Sequence, residues 1–482
     1  MIPECTTNKI DLQALGKRSV DLKFDGGRIT SDAGALLLRE TDNVFQVTDK
    51  FADCFTDFRD QSKVELSVLQ MVRQRVMGLC LGYEDLNDHD ELRKDILFAT
   101  LAGRDDPLGQ SRKRQRDKGK PLAGRSTLNR LELTREELDP KNHRYKKILA
   151  RSENMRRFFV ECFTEHYRHE DGPLILDLDG SDDPLHGDQL GKFFHGYYDC
   201  YCYLPLFVFC GKYLLSARLR RSNIGDAEGA VEELEMILPI LRRRWPKREI
   251  IVRGDSGFSN EELMRWCEDR EINYVFGLSR NQRLQRAVAV EMEEARKLHE
   301  KTGLPARIYR DFGYKTLKSW SRTRRVVGKA EYLAKGANHR FVVTNILRSR
   351  KAGRDLYEKT YCGRGDMENR IKEHQTQLFS TRTSTHRMES NQLRLWWSSV
   401  SYMLMNLLRE YGLKDTELEF AYVSTIRNKL LKIGARVKVS RRRVSISCCS
   451  SFPFKRLFRQ VVDNIRCVVL PPPEPRPRAA PV

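Results

Sequence analysis

The spacing of apolar side chains changes at about residue 170. Before it, apolar positions recur in steps of three and four. Val64, Val68, Leu69, Val72, Val76 and Leu79 form the clearest set and predict an amphipathic helix over residues 64–81, broken at Gly82. After a short strand-like start, residues 1–150 therefore read as mainly helical.

From Gly172 short apolar runs take over. Pro173 to Leu176 leads into Asp177-Leu178-Asp179-Gly180, and residues 204–209 and 213–219 predict two further strands joined by a hairpin through Cys210-Gly211-Lys212. Residues 226–244 carry helical spacing. Asp226 at the opening and Arg242 to Arg244 at the close suit the helix dipole, and Pro239 is expected to kink it. A strand at 249–253, a helix at 260–270 and a strand at 273–278 follow. The order β-β-β-α-β-α-β predicts an α/β fold, a mixed sheet flanked by helices. Residues 279–355 break the alternation with a charged helical piece at 287–301 and strand-like runs at 306–309, 323–327 and 340–345. They are read as an inserted subdomain, because a connection this long rarely lacks structure of its own. Helical character returns near Asp366, and a long helix is expected at 391–411. The expected organisation is a helical region at 1–150, a core at 170–278 and 356–415 interrupted by the insertion at 279–355, and a basic tail at 416–482. The proline-rich end from Pro471 is expected to be disordered.

A length of 482 residues supports two or three domains, and 40% hydrophobic residues exclude wholesale disorder. The net charge of +21 bears on partners rather than fold: it suits a polyanion. No apolar run approaches the ~20 residues a membrane helix needs, and the start at Met1 lacks the pattern of a secretory signal. Nucleic acid is thus the expected partner, no membrane is involved, and the cytoplasm is the expected compartment. The 12 cysteines are scattered without a Cys-x-x-Cys pair, which favours reduced thiols over a zinc site. One stretch, residues 112–130, concentrates charge. It holds Arg112, Lys113, Arg114, Arg116, Lys118, Lys120, Arg125 and Arg130 against Asp117, and its glycines and proline predict a loop suited to DNA phosphates. The cations of the tail, Arg441 to Arg443 with Lys455, Arg456 and Arg459, suit either solvation or non-specific DNA contact.

Acidic residues stand where chemistry would place them. Asp177 and Asp179 close one predicted strand, Asp255 closes another, and Glu368 opens a helix. Strand ends and helix starts can converge at one edge of a sheet. Converging carboxylates repel unless a cation holds them, and oxygen ligands select Mg²⁺ or Mn²⁺. Such ions support phosphodiester cleavage. Each acid also has an ordinary reading, as a turn or helix-start residue. Asp182 and Asp183, before Pro184, are read as turn residues. His186 and His195 are read as hydrogen-bonding residues rather than metal ligands, and Trp396 and Trp397 as packing residues. Trp320 has two readings, a residue that stacks on a displaced base or a core residue.

The run Tyr361-Cys-Gly-Arg364-Gly-Asp-Met-Glu368 has the spacing Tyr-x2-Arg-x3-Glu. Here the chain resembles the DDE transposases of bacterial insertion sequences, and more narrowly the insertion-sequence 1380 family. The resemblance extends to Leu176-Asp-Leu-Asp-Gly-Ser181, His186-Gly-Asp-Gln189, Tyr203-Leu-Pro-Leu206 and Arg253-Gly-Asp-Ser-Gly-Phe258, and toward the N-terminus to residues 32–38, 82–88 and 120–131. It implies an RNase H-like core with an insertion between the second and third acids. It also implies that Asp179, Asp255 and Glu368 are catalytic metal ligands, with Asp177 the rival for the first place. Tyr361 and Arg364 would hold DNA phosphate. The lysine expected farther along the helix is replaced by Gln375, leaving Lys372, one turn after Glu368, as its substitute. The implied activity is binding of the element's terminal inverted repeats, cleavage there, and joining to target DNA by at least two chains on paired ends. A free chain of this charge is expected to be monomeric. A nuclease of the same fold without strand transfer, and an inactive DNA-binding protein, are the alternatives.

Overall fold

The computed structural model describes residues 9–132, 143, 145–167 and 171–469, and the chain divides into two compact units. The proline-rich segment from Pro471 lies outside the described residues.

One unit joins residues 1–52, 57–131 and 407–468. The amphipathic pattern near residue 70 forms a helix at Val68–Cys80. It starts later than its apolar spacing suggests because Ser67 and Gln70 close a capping box. The expected basic tail is a structured part of this unit. Ala435–Ser440 pairs with Arg443–Cys448 and with Ile29–Thr30, and a helix at Lys455–Arg466 buries Leu457, Val461 and Ile465. Buried Asp32 is held by Lys432 at 2.6 Å and by the Tyr83 hydroxyl at 2.8 Å.

The second unit, residues 53–56, 132–406 and the chain end, contains the sheet. Its strands and helices are β1 (Leu174–Gly180), β2 (Leu206–Cys210), β3 (Tyr213–Arg218), α1 (Ala230–Arg244), β4 (Ile250–Gly254), α2 (Glu261–Asp269), β5 (Asn273–Leu278), α3 (Ala289–Thr302), β6 (Ala306–Tyr314), β7 (Arg324–Leu333), β8 (Gly336–Thr344), α4 (Gly365–Gln377) and α5 (Met388–Leu407). The eight strands form one sheet in the order β3-β2-β1-β4-β5-β8-β7-β6. β1, β4 and β5 run parallel, and the remaining neighbours are antiparallel. The predicted mixed sheet is therefore present.

The inserted segment differs from expectation. Its three strands extend the main sheet instead of forming a separate one. Side-chain alternation explains why. Val252, Tyr274, Phe276, Phe341, Val343 and Val326 share one core with Leu234 and Ile237 of α1. The intervening Ile251, Val275, Val342 and Val327 share the opposite face with Leu356 and Tyr357. The period-two pattern runs unbroken from β4 through β7, so one sheet satisfies all of these strands. Pro239 lies inside α1 without ending it, and α1 begins at Ala230, four residues after Asp226.

Candidate active site

The parallel pairing of β1 and β4 determines where their acids fall. Arg253 of β4 stands opposite Asp177 of β1. Two residues farther along each strand, on the same side, come Asp179 and Asp255. Neighbouring strands lie about 4.8 Å apart, so the two carboxylates become lateral neighbours at the sheet's carboxyl edge.

Asp177 is committed elsewhere. Arg253 donates to both of its oxygens, Nε to Oδ1 and, at 2.7 Å, Nη2 to Oδ2, and also to the carbonyl of Thr360. Both side chains are buried. Of the two candidates for the first acid, Asp179 is the one left facing the other carboxylates. Asp255 caps the short turn that follows β4, accepting from the Gly257 amide at 2.9 Å.

Glu368 lies in the first turn of α4, where the helix dipole favours an acid. Arg364 brings it to the strand ends, donating to Asp179 at 2.7 Å and to Glu368 at 3.0 Å. The Asp179 carboxyl is pushed up to about 7, first by burial and, against the pull of Arg364, by the charges of Asp255 and Glu368. Burial alone would lower the Arg364 guanidinium, but Asp179, Asp255 and Glu368 hold it above its usual range. The four groups act as one electrostatic unit.

Tyr361 packs its hydroxyl over β5. A Cβ at Gly277 would lie 2.6 Å from that oxygen and 3.0 Å from the Ser256 amide nitrogen, so a larger residue there would push Tyr361 aside. Lys372 is exposed on α4. Gln375, at the position where the resemblance leads one to expect lysine, donates to the Ser181 hydroxyl at 2.9 Å and the Asp182 carbonyl at 3.0 Å. It steadies the loop that follows Asp179.

A fourth carboxylate escaped the sequence reading, which assigned Asp226 to the start of a helix. The structure places it in the loop before α1, against both acid-bearing turns. Its Oδ1 is 3.4 Å from where a Cβ of Gly180 would lie, and a Cβ at Gly257 would overlap its carboxylate. Its carboxyl is raised by burial and then by Asp255. The available signal was the pair of glycines after Asp179 and Asp255, each leaving room for a neighbour.

Of the two readings of Trp320, the packing favours the core residue over the stacking one. Trp320 is 4% exposed, joins the main core, meets the Tyr314 ring edge-on at 5.7 Å and lies under the Arg324 guanidinium at 5.5 Å. No ring face is open to a base.

The basic loop is divided in the same way. Arg112 is turned inward toward Glu65 at 3.8 Å and Asp117 at 4.0 Å, and Lys113 donates to the Ser62 carbonyl at 2.9 Å. Lys113 is nonetheless exposed, as are Arg114, Arg116, Lys118, Arg125 and Arg130.

Asp179, Asp255, Glu368 and Asp226 offer an all-oxygen donor set whose mutual repulsion a cation would relieve, which fits a hard divalent ion. Among the described residues no group of three or more His, Cys, Asp or Glu is already drawn into a metal-holding arrangement, and the Arg364 guanidinium lies between two of the acids. His186 is exposed and belongs to no such group.

A sheet with acids at one edge, on a strongly basic chain, describes a phosphodiester-processing enzyme. The chain belongs to the family described as transposase DDE domain, group 1, whose model matches residues 12–469. It is a DDE-type DNA transposase. Enzymes of this family generally use a divalent metal. No curated protein matches the chain. Among solved structures, it is similar to one described as the piggyBac transposase synaptic complex with hairpin DNA, at 12% identity, 92% coverage of this chain, 87% of that chain and a TM-score of 0.40. No helix among the described residues is long and apolar enough to cross a membrane.

Proposed function

We propose that Asp179, Asp255 and Glu368 form the catalytic centre of this transposase, and that it cuts the terminal inverted repeats of a mobile element and joins the freed ends to target DNA. The strand order β3-β2-β1-β4-β5 and its pairing support an RNase H-like core, and the motifs favour an element of the insertion-sequence 1380 type. The observation that carries the reading is Arg364, which reaches Asp179 and Glu368 together and so links a strand end to a distant helix.

Asp179, Asp255 and Glu368 would hold Mg²⁺ or Mn²⁺, with Asp226, packed against both acid-bearing turns, as a further candidate. A bound divalent cation supplies charge neutralisation and a more acidic water at neutral pH. The protein's own groups do the rest. Arg364, whose planar fork matches a phosphate, exchanges its carboxylate partners for a DNA phosphate. Tyr361 and Lys372 line the approach to that phosphate, and Asp177 with Arg253 locks β1 to β4 so that the acids keep their register. Exposed Arg114 and Arg116 hold DNA backbone, while Arg112 and Lys113 shape the loop that presents them. At least two chains pair the ends, because one site per chain cannot readily hold both.

The test is cleavage and strand transfer on DNA carrying the element's ends, with and without Mg²⁺. Metal-dependent nicking followed by joining supports the reading. Nicking without joining would make the protein a nuclease, and binding without nicking would make it a DNA-binding protein.

A further inference from the structure

Burial of Trp320 leaves its stacking reading without an open ring face, and a different surface has the properties that role requires. Between β1 and β2 the chain builds a small three-stranded flap, with Cys200–Tyr203 paired to Asp183–Pro184 on one side and to Phe193–His195 on the other. Its base is anchored. The Tyr203 hydroxyl donates to the Leu190 carbonyl at 2.7 Å, the Ser222 hydroxyl to the Phe193 carbonyl at 2.9 Å, and the Leu190 amide to the His386 carbonyl at 2.8 Å. Its outer part is aromatic and open: Phe194 is 53%, Tyr197 85% and Tyr201 54% exposed.

Register fixes how these rings stand. Phe194 is opposite Tyr201, with ring centroids 5.6 Å apart, so the two share one face, and His195 opposite Cys200 lies on the other. Tyr197, at the turn, meets Tyr198 edge-on at 5.0 Å. The flap also stands beside the acids: its first strand, Asp183–Pro184, begins four residues after Asp179, and Gln375 of α4 donates to the Ser181 hydroxyl and the Asp182 carbonyl in between. One cation flanks the rings and a second lies next to it in the chain's path. Lys192 Nζ is 5.8 Å from the Tyr201 ring, and Arg221 packs alongside Gly191. Leaving three large rings in water costs the fold apolar burial it could otherwise have gained, and such patches mark binding surfaces.

We propose that Phe194, Tyr197 and Tyr201 are the base-stacking surface of this transposase and take unpaired bases of the strand whose phosphate lies at Asp179. The occupant follows from chemistry. Aromatic faces interleaved with lysine and arginine are the composition of single-strand stacking platforms. A carboxylate site that reaches a phosphodiester gains access when the duplex beside it is opened. The proposal rests on reading Asp179, Asp255 and Glu368 as the active site.

The test uses the full chain, without divalent metal, and two probes: a duplex with a short unpaired bubble carrying 2-aminopurine, and the fully paired duplex of the same sequence. The triple variant Phe194→Ala, Tyr197→Ala, Tyr201→Ala should lose about tenfold in affinity for the bubble per base it no longer stacks. It should also fail to quench 2-aminopurine, while its affinity for the paired duplex and its melting temperature stay those of the wild type. Tyr197→Trp should keep both affinity and quenching. Equal bubble affinity in the triple variant and the wild type overturns the proposal, as does an equal loss on both probes. So does normal bubble binding together with lost self-association in sedimentation, which would assign the flap to contacts between copies. Failure of the underlying site reading looks different: the wild type would not cut element ends, although discrimination between bubble and duplex would still be measurable.

Discussion

Replacing Asp179 by Asn should change how stability depends on pH, even with no DNA present. The Asp179 carboxyl ordinarily titrates at 3.8 and is pushed up to about 7 in the fold by burial, then by Asp255 and Glu368, against the pull of Arg364. The difference is about 3 units, each worth about 1.36 kcal/mol, so ionising Asp179 costs the fold about 4 kcal/mol. Because the folded value lies above the unfolded one, stability is fully present below about pH 4 and is lost as pH rises toward 7. An asparagine side chain in its place cannot ionise. The variant's stability relative to wild type should therefore rise by about 4 kcal/mol between pH 4 and 7, then level off. Urea unfolding followed by tryptophan fluorescence, with a chelator present, measures this. Trp245, Trp266, Trp320, Trp396 and Trp397 all lie in the unit that holds Asp179, so the signal reports that unit alone. Adding Mg²⁺ at pH 8 should shrink the difference, since a bound cation favours the ionised wild-type group. A difference that is the same at pH 4 and pH 8, or that runs the other way, refutes the reasoning.

Asp177→Asn should lower stability by about 3 to 5 kcal/mol, because it strands the buried Arg253 guanidinium. Asp255→Asn and Glu368→Gln should instead keep the melting temperature and end binding while abolishing cleavage. Selective loss of cleavage in Asp177→Asn with a normal melting temperature would move the first acid to that position. Trp320→Ala should cost about 3 to 5 kcal/mol in urea unfolding, with activity falling only in proportion to the folded fraction, and an unchanged unfolding midpoint would contradict its burial. Replacing exposed Arg114, Arg116 and Lys118 by Ala should lower the slope of log affinity against log salt by about 0.9 for each phosphate no longer neutralised. Arg112→Ala should affect stability more than that slope. Asp226→Asn should weaken Mg²⁺ affinity in calorimetry without altering the melting temperature, and wild-type affinity would exclude it from the metal-holding set.

The parts of the fold legible in sequence were those governed by local periodicity. The strand at 273–278 and the helix at 261–269 emerged nearly to the residue, the first from a short apolar run and the second from helical spacing, and in the structure Asn260 caps that helix. What periodicity could not supply was which strands become neighbours. Strand-like runs at 306–309, 323–327 and 340–345 were visible, but the full strands at 306–314, 324–333 and 336–344, and their pairing outward from β5, depend on apolar faces matching across distant segments. The candidate acids were legible as strand ends and by resemblance. Asp226 was not, because an acid shortly before a helix looks the same whether it serves the dipole or faces a neighbouring turn. Trp320 shows the same limit: composition gives an aromatic residue, and only packing tells whether its face is open. The tail at 416–482 was read as basic surface, solvated or in contact with DNA, because buried positions such as Leu457, Val461 and Ile465 are spread thinly among cations.

The path of the chain through the outer sheet has an evolutionary consequence. After β5 the chain travels to the far edge, builds β6 and β7, and returns as β8 to the strand it left, before delivering Glu368. Growth outward therefore begins and ends at the same place. Strands beyond β8 can lengthen, or acquire new decorations at their tips, without altering the distance between the second acid and the third. The two-residue turn between Leu333 and Gly336 is a natural port for such change. A lineage built on this plan can diversify what its periphery touches while its chemistry stays fixed, and an engineer can graft a reporter or a targeting module there on the same principle.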